Sequence, residues 1–309
     1  MANGFFTDTT LCIGCKACEV ACKQWNQLPA DGYALTGMSY DNTGALGATT
    51  WRHVAFIEVP ASKKRLPMAS AAPQPQPTPA VPSVGKGYQS SEGFQTEAPG
   101  ALKFINIDGE GGASLQIGFP DIGQWLMMSD VCKHCTNAGC LQACPTGAII
   151  RNEFGAVYVQ PDICNGCGYC VPSCPFGVVA LQHDDGRAFK CTLCYDRQKD
   201  GLEPACAKAC PTDSIIFGDL DDLKMKARQR VADLHSRGET DAYLYGVDED
   251  TEVGDLNAFF LLKAEPEAYG LPVAPRLPQN RVGRGYLAGL AVAAALTVYS
   301  AISLRRNHH

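Results

Sequence analysis

Sixteen cysteines constrain this chain of 309 residues more than any other feature of its sequence. They fall without remainder into four short groups of four, and the first group reads CIGCKACEVAC. In each later group the last cysteine is followed by proline, whereas Lys23 takes that position in the first. The groups are Cys12, Cys15, Cys18 and Cys22; Cys132, Cys135, Cys140 and Cys144; Cys164, Cys167, Cys170 and Cys174; and Cys191, Cys194, Cys206 and Cys210.

The cysteine spacing favours iron–sulfur clusters over disulfides or structural zinc. Three thiolates two residues apart on a tight loop can bind three irons of a cubane, so the fourth iron needs a thiolate from elsewhere. Paired Cys-x-x-Cys cysteines make strained disulfides, and a zinc ribbon gains nothing from a third cysteine followed by x3-Cys-Pro. We therefore predict four [4Fe–4S] clusters, which suit electron transfer because thiolates occupy every iron.

An internal repeat indicates how the groups are organised. The segments CPTGAIIR, CPFGVVAL and CPTDSIIF each begin at the last cysteine of the three later groups, and 148–160 reads as a hairpin joining the second group to the third. We expect an α+β fold of two ferredoxin-like dicluster units, an inner one at 120–190 nested in an outer one formed by 1–60 and 191–218. Loop lengths alone also allow the first group to pair with the second and the third with the fourth.

The remaining segments are predicted to contain no clusters. An insertion or linker occupies 61–119 and includes a stretch at 69–100 that is rich in proline and glutamine, which predicts an extended surface segment. A C-terminal helix and extension follow at 219–283. Asp219 is expected to cap a helix over roughly 221–237, because an apolar stripe at helical spacing follows it.

The end of the chain predicts a transmembrane helix at 284–305. The segment 285–304 has 20 residues without a charge, enough for a helix of about 30 Å, the thickness of a bilayer's hydrocarbon core. Basic residues flank it on both sides and leave its orientation open. Small residues on one face predict packing against another membrane helix, with simple lipid contact as the alternative. They are Gly285, Ala288, Gly289 and Ala293.

Composition excludes other classes of function. The formal net charge of −6 gives no clustered basic face for a nucleic-acid partner. The opening MANGFFTDTT lacks the basic and apolar regions of a signal peptide, so it does not predict independent export. No nucleophile–base pair stands out, so we expect no catalytic residues in this chain.

Several motifs resemble one known family. CIGCKACEVACKQWN (12–26), CNGCGYCVPSCPFGV (164–178) and KCTLCYDR with EPACAKACPTDSI (190–215) are similar to the four-cluster iron–sulfur subunits of molybdopterin oxidoreductases. Within that family, RVADLHSRGETDAYLYG (230–246) and LPVAP (271–275), with a single C-terminal membrane helix, resemble the beta subunits of membrane-bound formate dehydrogenases. The insertion at 69–100 departs from this pattern.

The resemblance implies a ligand set for each cluster, in which nested groups exchange their fourth cysteines. The implied sets are Cys12, Cys15, Cys18 and Cys210 for cluster 1; Cys132, Cys135, Cys140 and Cys174 for cluster 2; Cys164, Cys167, Cys170 and Cys144 for cluster 3; and Cys191, Cys194, Cys206 and Cys22 for cluster 4.

The resemblance also implies a place in a respiratory complex. Its partners are a molybdopterin or tungstopterin catalytic subunit that oxidises formate, a membrane quinone-reducing subunit with or without haem b, and membrane lipid. The chain would lie at the cytoplasmic membrane as a single-pass protein, on a face left undecided. Alternatives are the same relay in a hydrogenase or another molybdopterin oxidoreductase, or a free polyferredoxin.

Overall fold

The computed structural model describes residues 2–31, 40, 41, 43–60, 122–248 and 250–306. The predicted insertion at 61–119 lies outside these residues. The chain divides into one unit formed by Met1–Ile57 with Leu126–His309 and another formed by Glu58–Trp125. All four cysteine groups belong to the first unit, and only strand ends of the second are described. The nested arrangement of two dicluster units stays a prediction.

Short strands and helices alternate through the described residues. The strands are β1 Asn3–Asp8, β2 Arg52–Pro60, β3 Ile122–Val131, β4 Ile149–Arg151, β5 Val157–Val159, β6 Ala180–Leu181, β7 Ala188–Phe189, β8 Ile215–Asp219, β9 Tyr243–Tyr245 and β10 Ala258–Leu262. The helices are α1 Ala17–Trp25, α2 Gly139–Gln142, α3 Tyr195–Lys199, α4 Ala205–Lys208, α5 Leu220–Ser236 and α6 Gln279–Arg306, with a 3-10 turn at Pro266–Tyr269. This mixture confirms the helix-and-strand content that the α+β prediction requires.

A four-stranded sheet brings the beginning of the chain against its later part. The strand order is β8-β1-β10-β9, with β1 parallel to β10 and antiparallel to β8. Strand β10 reads AFFLL and is buried at all five positions, as expected of a strand covered on both faces. The sheet thus fixes the segment leading to Cys12 beside the one that follows Cys210.

Helix α5 follows the sequence prediction closely. The Asp219 carboxylate accepts hydrogen bonds from the backbone N–H groups of Asp221 and Asp222, which satisfies donors that have no partner inside the helix. Three residues of the predicted apolar stripe are buried, namely Leu223, Ala227 and Leu234. The helix begins one residue earlier than predicted and ends at Ser236.

The hairpin predicted over 148–160 is also present. Strands β4 and β5 pair antiparallel, and Gly155 supplies a positive φ of 80° in the connecting turn, a conformation that costs glycine little. A second short antiparallel pair, β6 with β7, follows the third cysteine group. The hairpin leads directly from the second group to the third.

Helix α6 covers the predicted transmembrane segment and begins six residues before Gly285. One helix of the described residues is long and apolar enough to cross a membrane. Its candidate span is Gln279–Ser300, which has a mean hydropathy of 1.3, and its apolar stretch is not buried against the rest of the chain. A Cβ added at Gly285 or Gly289 would meet no atom within 4 Å. The predicted small-residue face is therefore open in this chain.

Candidate metal centres

Three cavities are each lined by four cysteines drawn from two groups. Site 1 is lined by Cys12, Cys15, Cys18 and Cys210. Site 2 is lined by Cys132, Cys135, Cys140 and Cys174. Site 3 is lined by Cys144, Cys164, Cys167 and Cys170. In all three, the fourth cysteine comes from another group, as the family resemblance implies.

The remaining four cysteines also lie together, and we call them site 4. They are Cys22, Cys191, Cys194 and Cys206, and all four are buried. Burial raises the pKa of Cys22, and the neighbouring charges of the other three raise it further. The structure therefore brings together the members of every predicted ligand set.

One backbone conformation recurs in all four groups. The second residue after the first cysteine has a positive φ, which is 67° at Gly14, 46° at His134, 73° at Gly166 and 57° at Leu193. A left-handed residue turns the chain sharply enough to direct both flanking cysteines to one point, and successive N–H groups then face that point. The Leu193 N–H, for example, donates to Cys191 Sγ at 3.3 Å.

The absence of proline after the first group has a structural explanation. Helix α1 continues past Cys22 through Lys23 to Trp25, whereas the short helices α2 and α4 end before Cys144-Pro145 and Cys210-Pro211. A proline disfavours helical backbone at the residue before it. Lys23 Nζ instead donates to the Asp31 carboxylate at 2.8 Å, which fixes the loop that follows α1.

The donor sets fit cubane clusters better than single metal ions. All sixteen cysteines are free thiols. Among the described residues, no three His, Cys, Asp or Glu side chains converge closely enough to hold one metal ion, whereas tetrahedral zinc would draw its sulfurs to about 2.3 Å from one centre. Four thiols spread around a cavity suit a cubane, in which each thiolate binds a different iron.

Burial dominates the electrostatics of these thiols. It raises the pKa of Cys18 and Cys194 to about 11 because the charged thiolate is poorly solvated there. The half-exposed Cys144 differs: burial alone would raise its pKa, but hydrogen bonds from Thr146 and nearby backbone N–H groups lower it. Because thiolates bind the irons, cluster binding must release the protons of thiols such as Cys18 and Cys194.

The four sites form a continuous series in the order 3, 2, 4, 1. Burial raises the pKa of Cys140 in site 2 to about 12, and the charge of Cys170 in site 3 adds to the rise. Burial also raises the pKa of Cys191 in site 4, with Cys132 of site 2 the next cause. In site 1, the charge of Cys206 from site 4 adds to the rise in the pKa of Cys18 that burial causes. Only the end sites contain exposed cysteines, which are Cys15 and Cys167.

Two buried cations between the sites were missed by the sequence reasoning. Arg52 Nη2 donates to Cys206 Sγ at 3.3 Å, and Lys190 Nζ donates to Cys132 Sγ at 3.4 Å. Lys190 stands immediately before Cys191, a position that could have drawn attention to it. Arg52 lies 154 residues from Cys206 in sequence, and no local pattern around Arg52 marks it as a neighbour of site 4.

Two family models match the cysteine-containing regions. Both are described as "4Fe-4S dicluster domain", and they match residues 123–220 and 11–148. The matches overlap, so they do not decide how the groups pair. With the sixteen cysteines, they identify the protein as one that binds [4Fe–4S] clusters.

Known relatives agree with these models over nearly the whole chain. The formate dehydrogenase iron-sulfur subunit of Haemophilus influenzae is 35% identical, covering 94% of this chain and 79% of the relative. The nitrate-inducible formate dehydrogenase iron-sulfur subunit of Escherichia coli is 34% identical, covering 96% and 81%. One subunit of the anaerobic dimethyl sulfoxide reductase of Escherichia coli is 29% identical, covering 72% and 76%. The protein thus belongs to the family of formate dehydrogenase iron–sulfur subunits, which transfer electrons and have no catalytic site of their own.

Proposed function

We propose that this chain relays electrons through four [4Fe–4S] clusters, from a molybdenum or tungsten formate dehydrogenase catalytic subunit to a quinone-reducing subunit in the membrane. The observation that carries the proposal is the continuous series of four cysteine sites with an exposed cysteine at each end. A series with two accessible ends suits passage from one partner to another, whereas a single buried centre does not.

Each site would hold one cluster through the four cysteines that surround it. Cys12, Cys15, Cys18 and Cys210 would hold the cluster in site 1; Cys132, Cys135, Cys140 and Cys174 that in site 2; Cys164, Cys167, Cys170 and Cys144 that in site 3; and Cys191, Cys194, Cys206 and Cys22 that in site 4. A bound cluster supplies reversible one-electron transfer. The protein's part is to hold successive sites close together and to exclude water from the inner ones.

Exposed apolar residues at both ends support the idea of two docking surfaces. Ile13 and Val20 flank the exposed Cys15 in site 1, while Ile163 and Tyr169 flank Cys167 in site 3. Apolar side chains beside an accessible redox centre are expected where a partner protein covers them. We assign electron entry from the catalytic subunit to the site 1 end and electron exit to the site 3 end.

The position of helix α6 supports this direction. Gln279, the first residue of α6, donates from Nε2 to the carbonyl oxygen of Gly139 at 2.6 Å, and Gly139 precedes Cys140 of site 2. The helix therefore starts beside the half of the series that ends in site 3. If α6 crosses the cytoplasmic membrane, electrons leaving from site 3 are delivered close to the bilayer and to a membrane partner, with or without haem b.

The proposal is tested by the anaerobic complex purified from membranes. Formate should reduce all of the clusters of this chain, as followed by electron paramagnetic resonance, and added quinone should reoxidise them. A complex in which hydrogen reduces the clusters and formate does not would assign the chain to the alternative, a hydrogenase relay. Full recovery of the chain in the soluble fraction, without partners, would instead favour a free polyferredoxin.

A further inference from the structure

Arg52 and Lys190 are the two buried cations that touch cysteines of the central sites. Their exposed fractions are 1% and 2%. Neither forms an ion pair with an acidic side chain in the described part of the chain, and the ionisable groups whose negative charge would stabilise them are cysteines. A buried cation without an opposite charge is strongly unfavourable, so these positions require an anion.

Arg52 connects site 4 to site 1. Its Nη2 donates to Cys206 Sγ at 3.3 Å, and its Nη1 donates to Ser129 Oγ at 3.3 Å. That same oxygen lies 3.2 Å from Cys18 Sγ. The guanidinium group also packs over the Phe5 ring, 4.7 Å from its centroid, which holds it in place. One cation therefore reaches a ligand of each site, directly in one case and through a hydroxyl in the other.

Lys190 occupies the equivalent place between sites 2 and 4. Its Nζ donates to Cys132 Sγ at 3.4 Å and to the carbonyl oxygen of Cys191 at 3.4 Å. A further hydrogen bond to the Val157 carbonyl fixes the ammonium group. The charge is thus held against a ligand of site 2 and against the backbone of a ligand of site 4.

Lys133 shows that a cation buried near a cluster site can be neutralised within the protein instead of by a cluster. It is as buried as Arg52, at 1% exposed, and it adjoins Cys132 in sequence. Its Nζ, however, pairs with the Asp130 carboxylate, so most of its charge is offset within the protein. No such carboxylate accompanies Arg52 or Lys190 among the residues described.

We propose that Arg52 and Lys190 are counter-cations shared by successive clusters, and that each raises the reduction potentials of the two clusters beside it. This inference rests on the proposed four-cluster relay. A cluster with four thiolate ligands is an anion that gains one more negative charge on reduction, so a fixed cation stabilises the reduced form. Site 4 faces both cations, sites 1 and 2 face one each, and site 3 faces neither.

The test is a redox titration of the full-length, anaerobically purified chain, followed by electron paramagnetic resonance. In Lys190→Met, two of four midpoint potentials should fall, each reflecting an equilibrium constant for reduction lowered at least tenfold, or about 59 mV for a one-electron couple. In Arg52→Met, two should fall similarly, and one of them should belong to the cluster that also shifts in Lys190→Met. Lys190→Arg and Arg52→Lys should restore the potentials.

The control is Lys208→Met. Lys208 lies two residues from both Cys206 and Cys210, but its side chain is exposed, so water screens its charge and all four potentials should stay. Unchanged potentials in Arg52→Met and Lys190→Met would overturn the inference. So would equal downward shifts in the charge-keeping variants, since they would trace the effect to side-chain shape.

Loss of clusters in the neutral variants is also decisive. If Lys190→Met and Arg52→Met bind less iron, full iron content in the charge-keeping variants supports the counter-cation role, and equal loss in them contradicts it. The unmodified chain separates this inference from the proposed function. Fewer than four clusters in the unmodified chain would overturn the four-cluster relay. Four clusters in the unmodified chain, with the same potentials in Arg52→Met and Lys190→Met, would overturn only the role of the cations.

Discussion

At the scale of single residues, each cysteine group requires one residue with a left-handed backbone conformation. Glycine takes this conformation freely, but His134 and Leu193 take it at a cost of about 1–2 kcal/mol each. Both are fully buried, so packing around the side chain holds the strained residue in place. Cluster binding adds to that support because both flanking thiolates are then fixed.

Replacing the turn glycine of the third group should damage one cluster. A Cβ at Gly166 would lie 2.5 Å from the carbonyl oxygen of Gly186, a backbone atom that cannot move aside easily. We expect Gly166→Ala to lose the cluster in site 3, measured as about four fewer irons per chain. The control is Gly177→Ala, whose φ of 63° is similar but whose Cβ meets nothing within 4 Å. Equal iron content in both variants would contradict this view of the turn.

The exchange of fourth cysteines makes a second prediction at this scale. Cys22→Ser and Cys191→Ser should perturb the same electron paramagnetic resonance signal, because both side chains belong to site 4. Cys144→Ser should instead change the signal that Cys164→Ser changes, because both line site 3. If Cys22→Ser altered the signal of the second group instead, the proposed ligand sets would be wrong.

At the scale of secondary structure, elements that depend on neighbouring residues could be predicted from the sequence. The helix after Asp219 and the hairpin at 148–160 follow from a capping residue, an apolar period and a turn, all local signals. The parallel pairing of β1 with β10 could not be predicted, because its partners lie about 250 residues apart. The cysteine sets could be predicted only from the family's pattern of ligand exchange, and the position of Arg52 could not be predicted at all.

Helix α5 permits a matched test of packing. Leu223→Ala should lower the free energy of unfolding by about 2–5 kcal/mol, since Leu223 is 1% exposed and its removal leaves a cavity. Met225→Ala, on the exposed face of the same helix, should change it by less than about 0.5 kcal/mol. Anaerobic denaturant unfolding of the cluster-loaded chain measures both. Equal effects would show that α5 does not pack on the sheet as described.

At the scale of the whole molecule, the chain combines a series of cysteine sites with one apolar helix whose residues are exposed. Apolar side chains such as Tyr286, Leu287 and Tyr299 face outward on different sides of α6. A helix that is apolar all round is stable in lipid or against another helix. The helix therefore links the electron-carrying part of the molecule to its proposed place at the membrane.

The small-residue face of α6 should matter for quinone-linked activity. Close packing of membrane helices at small residues tolerates no added side chain, so Gly289→Leu should weaken formate-to-quinone transfer. Dye-linked formate oxidation by the catalytic partner should remain intact. Ala294→Leu, on the opposite side of the helix, is the control. Unchanged quinone-linked activity in Gly289→Leu, with the membrane partner still bound, would reduce α6 to an anchor.

The most direct test of the central claim is the metal and sulfide content of the full-length chain, purified without oxygen. Four complete ligand sets predict about sixteen irons and about sixteen acid-labile sulfides per chain, with no stoichiometric zinc. Reproducible values near eight irons, or one or more zinc ions per chain, would contradict the four-cluster account.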